Sequence, residues 1–179
     1  AAGAWRREGH DVRLGVNLSF QNLHRLTLPE ELERLAKANG VPLSGLTVEM
    51  TESSVAQELA TSLEILTRLR LRDIGLSIDD FGTGFATMDH LKKFPFTELK
   101  IDKGFVWAAV DDLTARTIVE SSVFLARRLG MTTVAEGVET SEQWDLAARV
   151  GVDVVQGWAL ARPMPEDEFR AWLNARERG

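Results

Sequence analysis

Seven polar residues close short apolar runs of the chain: Asn17, Glu49, the neighbours Asp79 and Asp80, Lys100, Glu136 and Gln156. Their carboxylate and amide oxygens are hard ligands suited to Mg2+ or Mn2+, not to zinc or copper. Two adjacent aspartates repel each other unless cations lie between them, so "SIDDFGTGF" (77–85) reads as the bridging part of a two-metal site. The glycines of "FGTG" let the backbone leave a strand sharply and form a mobile loop over that site. Taken singly, each piece also suits a plainer role: an Asp pair before Gly a turn or cap, Asn17 a helix cap, Glu49 and Glu52 solvated charges, Lys100 a salt-bridge partner. The recurrence at every strand end points to metal-assisted phosphoryl chemistry. His10, His24 and His90 all lie elsewhere.

Six segments rich in Val, Leu and Ile read as the strands that must carry these groups: 11–19, 46–52, 75–82, 97–105, 131–139 and 153–160. Amphipathic segments with ordinary boundary signals alternate with them. Pro29 opens one that stops at Gly40, Asp111 and Asp112 precede one that stops at Gly130, and Pro165 opens the last. Strict βα alternation calls for a parallel sheet, open and doubly wound or closed as a (β/α)8 barrel. One strand parity is apolar (Leu14, Val16, Leu18; Leu46, Val48, Met50; Leu76, Ile78; Leu99, Ile101). The other holds Asn17, Glu49, Asp79, Lys100, Asp102, Glu136 and Gln156. A doubly wound sheet needs two apolar faces, whereas a barrel turns one parity inward and gathers strand ends at one mouth. The expected fold is therefore α/β, a modified TIM (β/α) barrel. A complete barrel has eight strands and typically about 250 residues; here six βα units are legible, and "AAGAWRREG" reads as the end of a helix. The barrel is expected to be incomplete, with its first two strands missing.

The composition is that of one domain, 1–179, with 44% hydrophobic and 27% charged residues. The absence of Cys excludes disulfides, thiolate metal sites and Cys nucleophiles. No apolar run approaches a membrane span, so a cytoplasmic domain without a membrane segment is expected. A net charge of −6 argues against a DNA or RNA polymer as partner but leaves room for a small anionic ligand held through metal ions. The five tryptophans are expected to fill helix and barrel interfaces.

The ordered motifs "VNLS", "VEMTES", "DDFGTGF", "LKIDKGFV", "VAEGVET" and "QGWALARPMP" resemble the EAL domain family of cyclic di-GMP phosphodiesterases across essentially the whole chain. The resemblance implies a TIM-like barrel with one antiparallel strand, and Mg2+- or Mn2+-dependent hydrolysis of cyclic di-GMP to linear pGpG. It implies that Asn17, Glu49, Asp79 and Asp80 hold metal. It makes Lys100 the holder of water and phosphate and Glu136 the general base. Glu139 and Gln156 would support the metal and water shell, Asp102 would lie near the ligand, and Glu52 would anchor the loop after "DDFGTG". In two respects the chain departs from the family pattern. Glu-Ala-Leu occurs nowhere in it, its place falling before Ala1 together with one metal-ligating Glu and a phosphate-contacting Arg. Phe85, Ala86 and Thr87 stand where the family usually has Tyr-Ser-Ser.

Two further readings remain open at this point: a binding module that senses cyclic di-GMP or a protein without turning it over, and another metal-dependent barrel lyase or aldolase. An unclosed barrel with open strand edges is also expected to self-associate.

Overall fold

Several helices start or stop on signals in their own residues. The computed structural model describes residues 1–51, 59–83 and 88–176. Helix α1 is Ala2–Arg7, and α2, Leu28–Asn39, carries Pro29 in its first turn and ends on Gly40 in the left-handed conformation. Next come α3 (Leu59–Arg70), α4 (Met88–Lys93) and α5 (Lys103–Ala108). The long α6, Leu113–Leu129, is capped by the Asp112 carboxylate, which accepts from the Thr114 N–H, and stops at left-handed Gly130. Helix α7 (Ser141–Val150) opens with a capping box between Thr140 and Gln143, and α8 is Glu166–Arg176.

Six parallel strands lie between them: β1 (Leu14–Asn17), β2 (Leu46–Thr51), β3 (Gly75–Phe81), β4 (Glu98–Ile101), β5 (Thr132–Ala135) and β6 (Val154–Val155). Their spatial order is their chain order, β1 to β6. A doubly wound sheet reverses its strand order at a switch point, so this sequential order belongs to the barrel alternative. The sheet curls. Trp5 of α1, before the first strand, packs on Phe169 of α8, after the last, with ring centroids 4.8 Å apart. Glu8 and Arg170 add an ion pair at 3.3 Å. Six strands spaced about 4.8 Å apart would hold these helices far apart on a flat sheet. The result is a half-barrel.

The apolar parity packs as expected on the central strands: Val48, Met50, Leu76, Ile78, Leu99 and Ile101 are buried under Ile65, Leu66 and Leu69 of α3 and Val119, Val123 and Ala126 of α6. On β1 the same parity is less covered, and Val16 is 39% exposed, because β1 has a neighbour on one side only. The strands are shorter than the apolar runs. Residues 103–105 begin α5 under the Asp102 cap, and the last run pairs only at Val154 and Val155 before Gly157 turns the chain away. Among the described residues no helix is long and apolar enough to cross a membrane.

Candidate functional site

Lys100 stands at the centre of the mouth. It is 4% exposed on β4, and its ammonium reaches Glu136 Oε1 at 2.6 Å, Glu49 Oε2 at 2.9 Å and Asp79 Oδ1 at 3.2 Å. An ammonium has three protons to donate, and three carboxylates surround this one. Burial alone would pull its pKa down, but the hydrogen bonds to Glu136 and Glu49 and the charges of Glu136 and Asp79 outweigh that and hold it above the ordinary lysine range.

Adjacent strand residues ordinarily face opposite sides of a sheet, so Asp79 and Asp80 should not both reach the mouth. The β3–β4 ladder resolves this. Its register runs from Ile78 opposite Leu99 to Phe81 opposite Ile101, so β3 carries one extra residue there. Asp80 takes a left-handed φ of 55°, uncommon for a residue other than glycine, and its N–H donates to Asp79 Oδ1 at 3.1 Å. Thr83 closes the turn onto the Asp80 carbonyl through its N–H at 3.3 Å and its hydroxyl at 2.9 Å. The bulge thus brings the two carboxylates to one side. Asp79, Asp80 and Glu136 each offer an oxygen, all within 4.8 Å of one another.

Glu49 is seated by a missing side chain. It lies beside β1, in register with Asn17, and its carboxylate fills the space that a Cβ on Gly15 would occupy. Asn17 itself is exposed at the end of the edge strand. Asp102 caps α5 by accepting from the Gly104 N–H at 2.8 Å, while its charge adds to the field on Asp80. Exposed Glu139 donates its backbone N–H to Gln143 at 2.7 Å. The Gln156 backbone pairs with Ala135 and Val138. Glu52 and Phe85, Ala86 and Thr87 lie outside the described residues, as does the part of the expected loop after Thr83.

The charge balance favours a cation. Burial raises the Asp80 pKa first, with Asp79 and Asp102 adding to it; burial also raises that of Glu136, against the pull of Lys100. Glu49, Asp79, Asp80 and Glu136 share one buried ammonium, with Lys103 adding its charge at Asp80, and hard oxygen donors in excess of positive charge fit a divalent cation. The sign of the pH dependence follows. Two folded-state pKa values above their unfolded values mean that ionising these groups costs stability, which is lost as pH rises from about 4 through the raised values. A divalent cation competes with those protons. Mn2+ is therefore expected to raise the melting temperature more at pH 8 than at pH 5. At 100 times its dissociation constant it adds about 2.7 kcal/mol, and calorimetry at the two pH values with and without Mn2+ checks the ordering.

Beside the carboxylates lies a cleft of 590 Å³ that Glu136, Glu139, Gln156, Trp107, Trp158 and Trp172 help to line. Here the expectation for the tryptophans fails in part. Trp5 is buried, but Trp107 and Trp158 are 43% and 54% exposed, with the Lys103 ammonium 5.6 Å from one ring centre and the Arg162 guanidinium 4.8 Å from the other. Basic side chains flanking aromatic faces suit a planar, anionic ligand.

A parallel β/α half-barrel with an acidic mouth around one buried lysine defines a TIM-barrel-like protein whose candidate chemistry sits at the C-terminal ends of its strands. The chain belongs to the EAL domain family, whose model matches residues 1–163. It is 37% identical over 161 residues to the cyclic di-GMP phosphodiesterase RocR of Pseudomonas aeruginosa, covering 90% of this chain and 41% of RocR. It is 38% identical over 168 residues to MucR of the same organism, a bifunctional diguanylate cyclase and cyclic di-GMP phosphodiesterase, covering 93% of this chain and 24% of MucR. The solved MucR phosphodiesterase in complex with cyclic di-GMP superposes with a TM-score of 0.88 at 37% identity, over 94% of this chain and 68% of that one. A manganese and cyclic di-GMP complex of Klebsiella pneumoniae BlrP1 gives 0.83 at 32% identity, over 90% of this chain and 42% of that one. The chain thus spans well under half the length of these curated relatives.

Proposed function

We propose that this chain carries a metal-dependent phosphodiesterase site for cyclic di-GMP with linear pGpG as product. The observation that carries the reading is the buried Lys100 held by Glu136, Glu49 and Asp79, beside the oxygens of Asp79, Asp80 and Glu136. In this reading Asn17, Glu49, Asp79 and Asp80 hold Mg2+ or Mn2+. A divalent cation bound there supplies positive charge to the phosphoryl oxygens and makes water a stronger acid. Glu136 takes the proton: burial raises its basicity and Lys100 at 2.6 Å keeps it ionised. Lys100, whose ammonium now donates to Glu136, Glu49 and Asp79, would hold the attacking water and the phosphate. The cleft by Trp107 and Trp158 seats the nucleotide, with Glu139 and Gln156 at its rim. Asp102 acts beside the ligand through the start of α5.

The test is incubation with cyclic di-GMP and Mn2+, followed by chromatographic separation of nucleotides. Linear pGpG supports hydrolysis; no conversion at saturating metal refutes it. A second reading, a module that binds cyclic di-GMP without turnover, draws on the exposed position of Asn17 on an edge strand. Binding by calorimetry with no conversion would favour that one.

We further propose that the chain self-associates inside the cytoplasm. The outer edge of β1 is unpaired among the described residues, and Val16 and Leu35 beside it are 39% and 48% exposed. Sedimentation is expected to show a dimer or larger species at micromolar concentration, and a monodisperse monomer would refute this.

A further inference from the structure

Glu136 stands one residue beyond the last paired residue of β5, so something other than the strand ladder must hold it. Its own N–H donates to the Ile101 carbonyl at 3.1 Å. The Gly137–Val138 peptide unit, one beyond the unit that joins Glu136 to Gly137, is gripped at both ends. Val138 donates to the Gln156 carbonyl at 3.0 Å, and the indole N–H of Trp107 donates to the Gly137 carbonyl at 2.6 Å. That second grip is a side-chain bond reaching across 30 positions of sequence from a separate helix.

The fit between α5 and this peptide is close. Gly137 has a left-handed φ of 62°, and a Cβ there would meet Lys103 Cβ at 2.6 Å and Trp107 Nε1 at 3.2 Å. Only glycine combines that backbone conformation with that approach. The helix presenting Trp107 is itself anchored. Asp102 caps its first turn, and the Arg116 guanidinium donates to the Ala109 carbonyl at 3.0 Å and to the Val110 carbonyl at 2.6 Å just past its end. Lys103, one helical turn before Trp107, places its ammonium 5.6 Å from the centre of the indole ring.

We propose that Trp107 is a positioning residue: its indole N–H, by holding the Gly137 carbonyl, sets the backbone from which the Glu136 carboxylate reaches the reacting centre. This rests on the phosphodiesterase reading for its effect on rate, but the positional effect itself does not. Phenylalanine at 107 keeps a ring over the cleft and removes the donor alone. Since a misplacement of about 1 Å in a reacting group can cost up to about 100-fold in rate, Trp107→Phe is expected to lower kcat about tenfold and to leave KM for cyclic di-GMP within about twofold. The melting temperature should fall by no more than about 6 °C, the worth of one partly exposed hydrogen bond in a chain of this size.

Two readouts test the proposal. In steady-state kinetics with Mn2+, a fall in kcat at constant KM supports positioning; unchanged kcat, or a raised KM alone, overturns it by making Trp107 no more than a wall of the cleft. In hydrogen exchange without nucleotide or metal, the Val138 amide is expected to exchange at least about fivefold faster in the variant, while amides of α6 keep the parental rate. If the parent shows no turnover, the phosphodiesterase reading fails and exchange alone decides. Equal exchange at Val138 then overturns the positioning role, and faster exchange sustains it.

Discussion

Glu136→Gln is expected to lower the turnover of cyclic di-GMP by about 10²–10⁴-fold, the usual worth of a positioned general base. Glutamine keeps the volume and still offers Lys100 an oxygen at the position now 2.6 Å away. What it loses is the ability to accept a proton. Binding of cyclic di-GMP in the presence of Mn2+ should survive, since Asn17, Glu49, Asp79 and Asp80 are untouched. The stability effect separates this from simple damage. Burial raises the Glu136 pKa, so its ionisation costs the folded state free energy once the pH passes the ordinary 4.5. A glutamine cannot ionise, and the metal-free variant should be as stable as the parent at pH 5 and no less stable at pH 8. Chromatography of products, calorimetric binding and melting at the two pH values check this together. Undiminished turnover would remove Glu136 from the mechanism.

Lys100→Met should produce the largest loss of stability. The ammonium compensates Glu136, Glu49 and Asp79, whose side chains are only 16–17% exposed. Removing one partner of a buried ion pair costs about 3–5 kcal/mol, because the other stays charged and poorly hydrated. In a chain of this size that is a fall in melting temperature of roughly 6–20 °C. The penalty should shrink at low pH, where the carboxylates take up protons, and with Mn2+, which supplies the missing charge. Turnover should be lost in either case, since the buried ammonium beside Glu136 and Asp79 is gone. A variant with parental stability at pH 8 would mean that Lys100 carries little of the charge balance in the folded protein.

The mouth of this barrel was legible in the sequence because strand chemistry has a period of two. Once Leu76 and Ile78 are read as facing the helices, Asp79 must face the other way, and the same parity delivers Glu49 and Lys100. Helix boundaries were legible for a similar local reason. Gly40 and Gly130 end their helices in the left-handed conformation, and Asp112 caps the start of the helix that Gly130 ends through its own carboxylate. Such signals act over a few residues.

Other features were not legible. By parity Asp80 belongs on the wrong side of the sheet; only the extra residue in the β3–β4 register and a left-handed backbone bring it to Asp79. Gly15 looks like any strand glycine until Glu49 is seen in the space beside it. Trp107 reads as core filling, and nothing local shows that its N–H meets Gly137 thirty positions away. The run 153–160 reads as a full strand, yet only Val154 and Val155 pair.

The sequence by itself determined the alternation of strands and helices, the face each strand turns inward, the acidic and lysine-bearing mouth and the resemblance to the EAL family. Each of these follows from local periodicity and residue type. Tertiary structure alone decided that the six strands run in chain order and curl until α1 meets α8, that three carboxylates converge on Lys100, and that an indole braces the peptide beyond Glu136. Those depend on distances between residues remote in the chain, which the closing of the fold sets and no local pattern encodes.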